Sequence, residues 1–159
     1  MKRIYLLRHG KSEKRDAEKQ DFERTLTPQG REDSARIGAE MKKASLIPDR
    51  ITSSDAVRAM ETARICAEEC EYDEDVYDME LLYTASAEDY LEILRDTPDG
   101  LRSVLIVGHN PTIEEFNESL MGRYRKIKTS NLVWYDVEIN NWNEMSFDVN
   151  VARTGMLVP

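Results

Sequence analysis

The sequence predicts an α/β fold, a three-layer sandwich in which a mostly parallel, mixed β-sheet is flanked by helices. Three observations carry the expectation. Two short apolar runs, Ile4–Leu7 and Val104–Val107, read as buried strands ending in glycine and histidine. Between them, segments of helical periodicity alternate with short strand-like segments, as in folds with helices on both sides of a sheet. The last third then changes to a period of two, the mark of an antiparallel pair on a sheet edge. At 159 residues, with no repeat, low-complexity tract or Pro/Gly-rich linker, the chain reads as one domain over residues 1–159.

The elements follow in order. After the strand at Ile4–Leu7, residues 13–24 (EKRDAEKQDFER) are charged and aperiodic and read as a surface loop. Thr27-Pro28 pairs a capping hydroxyl with proline at the first helical position, so a helix should run from there to about Ala44. Its core face would carry Ala35, Ile37, Gly38 and Met41. A strand is expected at Arg50–Ser53. A second helix should start near Ser54 or Asp55 and reach about Glu69, carrying Ala56, Val57, Ala59, Met60, Ala63, Ile65 and Ala67. Residues 74–82 read as a strand and a turn. Ser86 and Asp89 have the spacing of a capping box, opening a third helix to about Arg95. Asn110-Pro111, after the second apolar strand, starts a fourth. Alternating apolar residues at 131–139 and 145–151, with Asn140–Asn143 between, predict the edge hairpin.

Charge excludes several partners. Lys and Arg number 22 against 31 Asp and Glu, a net charge of −9, which argues against nucleic acid and anionic lipid. That background also makes any locally basic feature conspicuous. No run approaches the ~20 apolar residues that span a bilayer, and Ile4–Leu7 is too short for a signal peptide's apolar region. A cytoplasmic location is the resulting expectation. Cys66 and Cys70, four apart in a helix, are too few for a usual metal site and read as reduced thiols.

The chain has two histidines, His9 and His109, each directly after an apolar strand and beside a glycine. If those strands are parallel neighbours, both rings stand on one rim, where ligands of open α/β sheets collect. Arg8 joins them, and Arg58 projects from a helix start near the same rim. Two guanidiniums, a histidine N–H and helix-start amides suit the oxygens of a phosphoryl group. The other imidazole is left free for covalent attack on phosphorus. Gly10 would let the backbone approach the group closely, and Ser12 is placed with it among the binding positions.

Three stretches carry a resemblance. LLRHGKS (Leu6–Ser12) resembles the Arg-His-Gly signature of the histidine phosphatase superfamily, the phosphoglycerate-mutase-like fold; SSDAVRAMETA (Ser53–Ala63) is similar to its second motif and VGHNP (Val107–Pro111) to its third, in family order. Within the superfamily, DFERTLTPQG (Asp21–Gly30), ELLYTAS (Glu80–Ser86) and the compact length resemble the short SixA-type phosphohistidine phosphatases. Gly10 departs from that branch, where alanine is frequent, and Glu61 stands where glutamine is common. The resemblance implies His9 as nucleophile through a phosphohistidine intermediate. It implies Arg8, Arg58 and His109 as phosphoryl ligands, no metal or cofactor, and a phosphoryl-bearing substrate such as a phosphohistidine protein.

The proton donor is the open point. Glu80 is the candidate general acid, and it reads equally as a surface glutamate in the acidic run with Asp73, Glu74, Asp75 and Asp78. Three functions stand at this level. They are a phosphohistidine phosphatase without an acid, a small-molecule phosphoester phosphatase using Glu80, and a binding module without turnover. The sequence leaves the oligomeric state open.

Overall fold

The computed structural model describes residues 1–159. The strands are β1 (Lys2–Arg8), β2 (Arg50–Ser54), β3 (Tyr77–Met79), β4 (Ser103–Gly108), β5 (Leu132–Val137) and β6 (Val151–Leu157), and the helices α1 (Pro28–Lys43), α2 (Val57–Glu69), α3 (Ala87–Arg95) and α4 (Thr112–Met121). All six strands form one sheet in the order β3-β2-β4-β1-β5-β6. β3, β2, β4 and β1 run parallel, and β5 and β6 antiparallel to their neighbours.

The two faces of the sheet follow from period-two alternation along its central strands. Ile4, Leu6, Val104 and Ile106 pack with Tyr90, Leu94 and Phe116 on the α3/α4 side. Tyr5, Leu7, Leu105 and Val107 pack with Ile37, Met41, Ala59 and Ala63 on the α1/α2 side. This is the three-layer sandwich expected, with strands buried on both faces reading as continuous apolar runs. No helix is long and apolar enough to cross a membrane.

Caps place the helices where the sequence puts them. Thr27 accepts a hydrogen bond from the Gly30 N–H, and Ser86 and Asp89 form the reciprocal capping box. Two details differ. In α1 the small polar Ser34 is buried and Ala35 only half-buried, because the Ser34 hydroxyl donates back to the Gly30 carbonyl at 2.7 Å and needs no water. α2 begins at Val57, two residues later than expected, because Ser54 still pairs in β2 and its Oγ accepts the Ala56 N–H.

The C-terminal hairpin needs a larger correction. β5 stands as expected, but its partner is Val151–Leu157; residues 145–150 lie outside any strand. The cause is Trp142, fully buried at the centre of the connection. Its indole N–H donates to the Leu101 carbonyl (2.8 Å), and its backbone N–H to Asp99 Oδ1 (2.7 Å). Arg95 Nε donates to the Met145 carbonyl (2.7 Å), holding that backbone off the sheet. The alternating Met145, Phe147 and Val149 therefore face the α3/α4 core from a loop. Trp142→Ala should cost roughly 3–5 kcal/mol in denaturant unfolding, and Phe147→Ala, at a half-buried position, distinctly less; equal losses would contradict this packing.

Candidate active site

β1 and β4 are adjacent and parallel, with Leu7 opposite Val107 and Arg8 opposite Gly108. His9 and His109 consequently leave the sheet at the same level, and the His9 N–H donates to the Gly108 carbonyl at 3.1 Å. Their ring centroids are 5.2 Å apart. Alternation turns Arg8 toward the α4 side, where its Nη1 donates to the Ile127 carbonyl (3.1 Å). From the α1/α2 side, Arg58 in the first turn of α2 sends Nε to 3.4 Å from His9 Nε2. These four side chains line a cavity of about 590 Å³ with Lys11, Ser12, Asp21, Arg24, Tyr83, Thr84, Asn110 and Thr129.

The hydrogen bonds select the tautomers. His9 Nδ1 lies 2.7 Å from the Gly10 carbonyl. A carbonyl only accepts, so Nδ1 carries the proton and Nε2 presents its lone pair. Ser54 Oγ accepts from Ala56, and its own proton has no acceptor within reach other than His109 Nε2 at 2.9 Å. That places the His109 proton on Nδ1, a buried atom without a partner in the protein. Arg8 Nε is likewise buried and unpartnered. Arg58 Nε donates to the His9 Nε2 lone pair at 3.4 Å, and the two donors without acceptors beside it are what an oxyanion would complete.

Burial sets the charges. His9 is 8% and Arg58 5% exposed. Desolvation first, then the neighbouring cations, lower His9 to about 3 and His109 to about 4. Both imidazoles are neutral at pH 7. Asp21 balances the guanidiniums: Arg58 Nη1 donates to its carbonyl oxygen (2.8 Å) and Nη2 to Oδ2 (3.1 Å). Arg24 Nε donates to Oδ1 (2.9 Å), and the Tyr83 hydroxyl donates to Oδ2 (2.6 Å). The Tyr83 hydrogen bond first, then the two arginines, hold this carboxyl far below the usual range, so it is ionised at neutral pH.

Other expected positions fall differently. Ser12 lines the cavity, its Oγ accepting from Arg24 Nη1 at 3.3 Å. Gly10 does not line it. A Cβ there would meet the Gly30 carbonyl oxygen at 2.8 Å and Ser34 Oγ at 3.0 Å, so its bare Cα serves the close approach of α1. Glu80 does not line it either; it is exposed at the start of the 3-10 turn Glu80–Tyr83, and the same turn instead brings Tyr83 inward. Asp21 and Arg24 come from the segment read as a surface loop, and Ser54 and Thr62 act one layer back. The Gly10 N–H donates to Thr62 Oγ1 (2.9 Å), which donates to the Arg58 carbonyl (2.7 Å), tying the two turns together. The resemblance of DFERTLTPQG and ELLYTAS to the SixA-type branch was the available signal for Asp21, Arg24 and Tyr83, and Ser54 and Thr62 fall within the second motif, SSDAVRAMETA, without a role read for them. No cluster of three or more His, Cys, Asp or Glu side chains is arranged to hold a metal ion.

Two measurements check this electrostatic reading. Long-range ¹H–¹⁵N NMR near pH 7 should show both rings neutral and protonated at Nδ1, and Ser54→Ala should release His109 alone from that tautomer. Both folded-state values lie below the unfolded ~6.5, so the unfolded chain binds more protons from about pH 6.5 down to about 3. Stability should therefore fall as pH drops through that window. The fall should be smaller in a His9→Gln/His109→Gln variant; an unchanged slope would contradict neutral burial.

Known proteins share both sequence and architecture with this chain. The profile of the histidine phosphatase superfamily (branch 1) matches residues 4–84. A protein assigned as the phosphohistidine phosphatase SixA of Agrobacterium tumefaciens superposes with a TM-score of 0.84 at 27% identity, covering 99% of this chain and 98% of its own. The protein histidine phosphatase SixA in complex with tungstate superposes at 0.81 with 18% identity, over 96% and 95%, a likeness of fold. An uncharacterized chloroplastic protein of Arabidopsis thaliana is 29% identical over 153 residues, 90% of this chain and 70% of its own length. The profile runs through both the His9 turn and the Arg58 helix start, and the sheet is reproduced from end to end: the chain belongs to the histidine phosphatase superfamily, branch 1, among its SixA-type phosphatases.

Proposed function

We propose that the protein removes the phosphoryl group from phosphohistidine carried on another protein, without a metal ion, through a covalent intermediate on His9. In the first step the His9 Nε2 lone pair attacks phosphorus, the P–N bond to the substrate imidazole breaks, and that imidazole leaves with a proton from solvent. In the second, water attacks phosphorus, the P–O bond forms as the Nε2–P bond breaks with its electron pair returning to Nε2, and inorganic phosphate departs with the water's proton passed to solvent, leaving His9 neutral. Arg8, Arg58 and the His109 Nδ1–H bind the equatorial oxygens, and Ser12 and Arg24 complete the wall. Charge that a metal could neutralise is met by the two guanidiniums.

The observation that carries this reading is the absence of a protonatable carboxyl in the cavity. Asp21 is the acidic side chain that lines it, and Asp21 is held ionised by Tyr83, Arg58 and Arg24. An alkoxide leaving group, whose conjugate acid resembles water at ~15.7, needs a strong donor. An imidazole, titrating near ~6.5, leaves once solvent protonates it. Glu80 is exposed and outside the cavity lining, which counts against the ester-phosphatase alternative, and the neutral, preorganised His9 weighs against a binding module without turnover.

Hydrolysis of a phosphohistidine peptide, a phosphoserine peptide and an aryl phosphate should be compared without added metal. The phosphohistidine peptide should be turned over fastest. His9→Ala should lose roughly 10³-fold or more, and Glu80→Gln should stay within about twofold. Efficient turnover of phosphoserine that Glu80→Gln abolishes would overturn the assignment.

A further inference from the structure

The loop between α4 and β5 contrasts with the rest of the molecule. The chain has a net charge of −9, yet residues 123–128 read Arg-Tyr-Arg-Lys-Ile-Lys, four cations in six positions with no acid among them. Arg123, Lys126 and Lys128 are exposed, and Arg125 is half-buried. None of the four forms an ion pair, whereas Arg24, Arg58, Arg95 and Arg153 all do. Tyr124, 60% exposed, is the large apolar side chain in their midst.

The C-terminal end of the loop is also anchored beside the cavity, whereas Arg123, Tyr124 and Arg125 flank a neighbouring hollow with Asn117 and Thr154. Ile127 is fully buried in the α3/α4 core. Its carbonyl accepts from Arg8 Nη1 (3.1 Å) and Asn110 Nδ2 (2.9 Å), while its N–H donates to Glu114 Oε1 (3.3 Å). Thr129 lines the cavity, and the Ser130 N–H donates to the carbonyls of Arg8 (3.0 Å) and His9 (3.3 Å). Chain reach then limits the backbones of Lys128 and Lys126 to within about 7 and 14 Å of Ser130. The buried anchor fixes the backbone from which these cations project, so ordering on binding is confined to their side chains.

We propose that this loop is the docking surface for an acidic patch on the phosphorylated protein, with Arg123, Lys126 and Lys128 meeting its carboxylates and Tyr124 supplying apolar contact. The proposal rests on the reading that the phosphoryl group is borne by a protein. A side chain that delivers its phosphoryl group between His9 and Arg58 brings the surface around it over the loop. Screening confines the attraction to about 8 Å at physiological salt, so the cations select for acidic residues close to the modified side chain. A long nucleic acid would have to continue over the acidic remainder of the chain and be repelled there.

Two peptides of equal length, each bearing a stable phosphonate analogue of phosphohistidine, separate the possibilities, one flanked by Glu and Asp and the other by Ser and Gln. Fluorescence anisotropy on wild type should show the acid-flanked peptide binding about tenfold tighter, three exposed charge pairs each giving a factor of about two to three. Added salt and the Arg123→Ser/Lys126→Ser/Lys128→Ser variant should remove that preference while aryl phosphate turnover is unchanged. No preference in wild type, a preference retained in the variant, or an equal loss of aryl phosphate turnover would each overturn the docking role. Hydrolysis of the matching phosphohistidine peptides isolates the underlying reading. Selective binding without hydrolysis keeps the docking surface and removes the substrate, and hydrolysis without selective binding does the reverse.

Discussion

The parallel pairing of β1 with β4 is the constraint on which the site depends. Leu7 lies opposite Val107 and Arg8 opposite Gly108, and the two histidines follow at equal height. A slip of one residue would turn the apolar side chains of β1 to the wrong faces, so the register is held by the entire core and the site inherits that rigidity. Ile4, Leu6, Tyr5 and Leu7 are buried on both sides of the sheet. The positions of Arg8 and His9 are therefore a by-product of packing, with β2 and the start of α2 adding Ser54 and Arg58 at the same rim.

Electrostatics work against that packing. Arg58 is buried beside two imidazoles kept neutral, and Asp21 offsets part of its charge. Other groups are left without partners: Arg8 Nε and His109 Nδ1 are buried and unsatisfied. Such groups destabilise a fold unless something binds them. The cavity is thus a region where stability is given up for readiness to bind an oxyanion, which is the pattern expected at a functional site.

Much of this was legible in the sequence, for reasons that differ by element. The Thr27 and Ser86 caps and the apolar runs of β1 and β4 were readable because their causes are local: a hydroxyl beside its N–H, and apolar side chains on consecutive positions. His9, His109, Arg8 and Arg58 could be grouped because strand ends and helix starts share one rim. Asp21 and Arg24 could not be grouped by spacing alone, because a charged aperiodic loop carries no sign of where it folds back. The second hairpin strand was misplaced because Met145, Phe147 and Val149 alternate like a strand while Trp142, buried by partners some forty residues earlier, holds the backbone away. Gly10 was read for its approach to a ligand, and its contact with Gly30 in α1 is long-range information that no local pattern contains.

The strand order also bears on how the molecule is made. β1 lies between β4 and β5, so it leaves the ribosome before both strands that flank it, whose paired residues come 100 or more positions later. Until Leu132–Val137 has been synthesised, β1 has an open edge and an incomplete apolar surface. Contacts of such separation form slowly and leave strand edges exposed meanwhile. His9 is synthesised well before His109, Thr129 and Ser130, which close around it, and a product truncated before them would carry the imidazole without the pocket that makes it reactive.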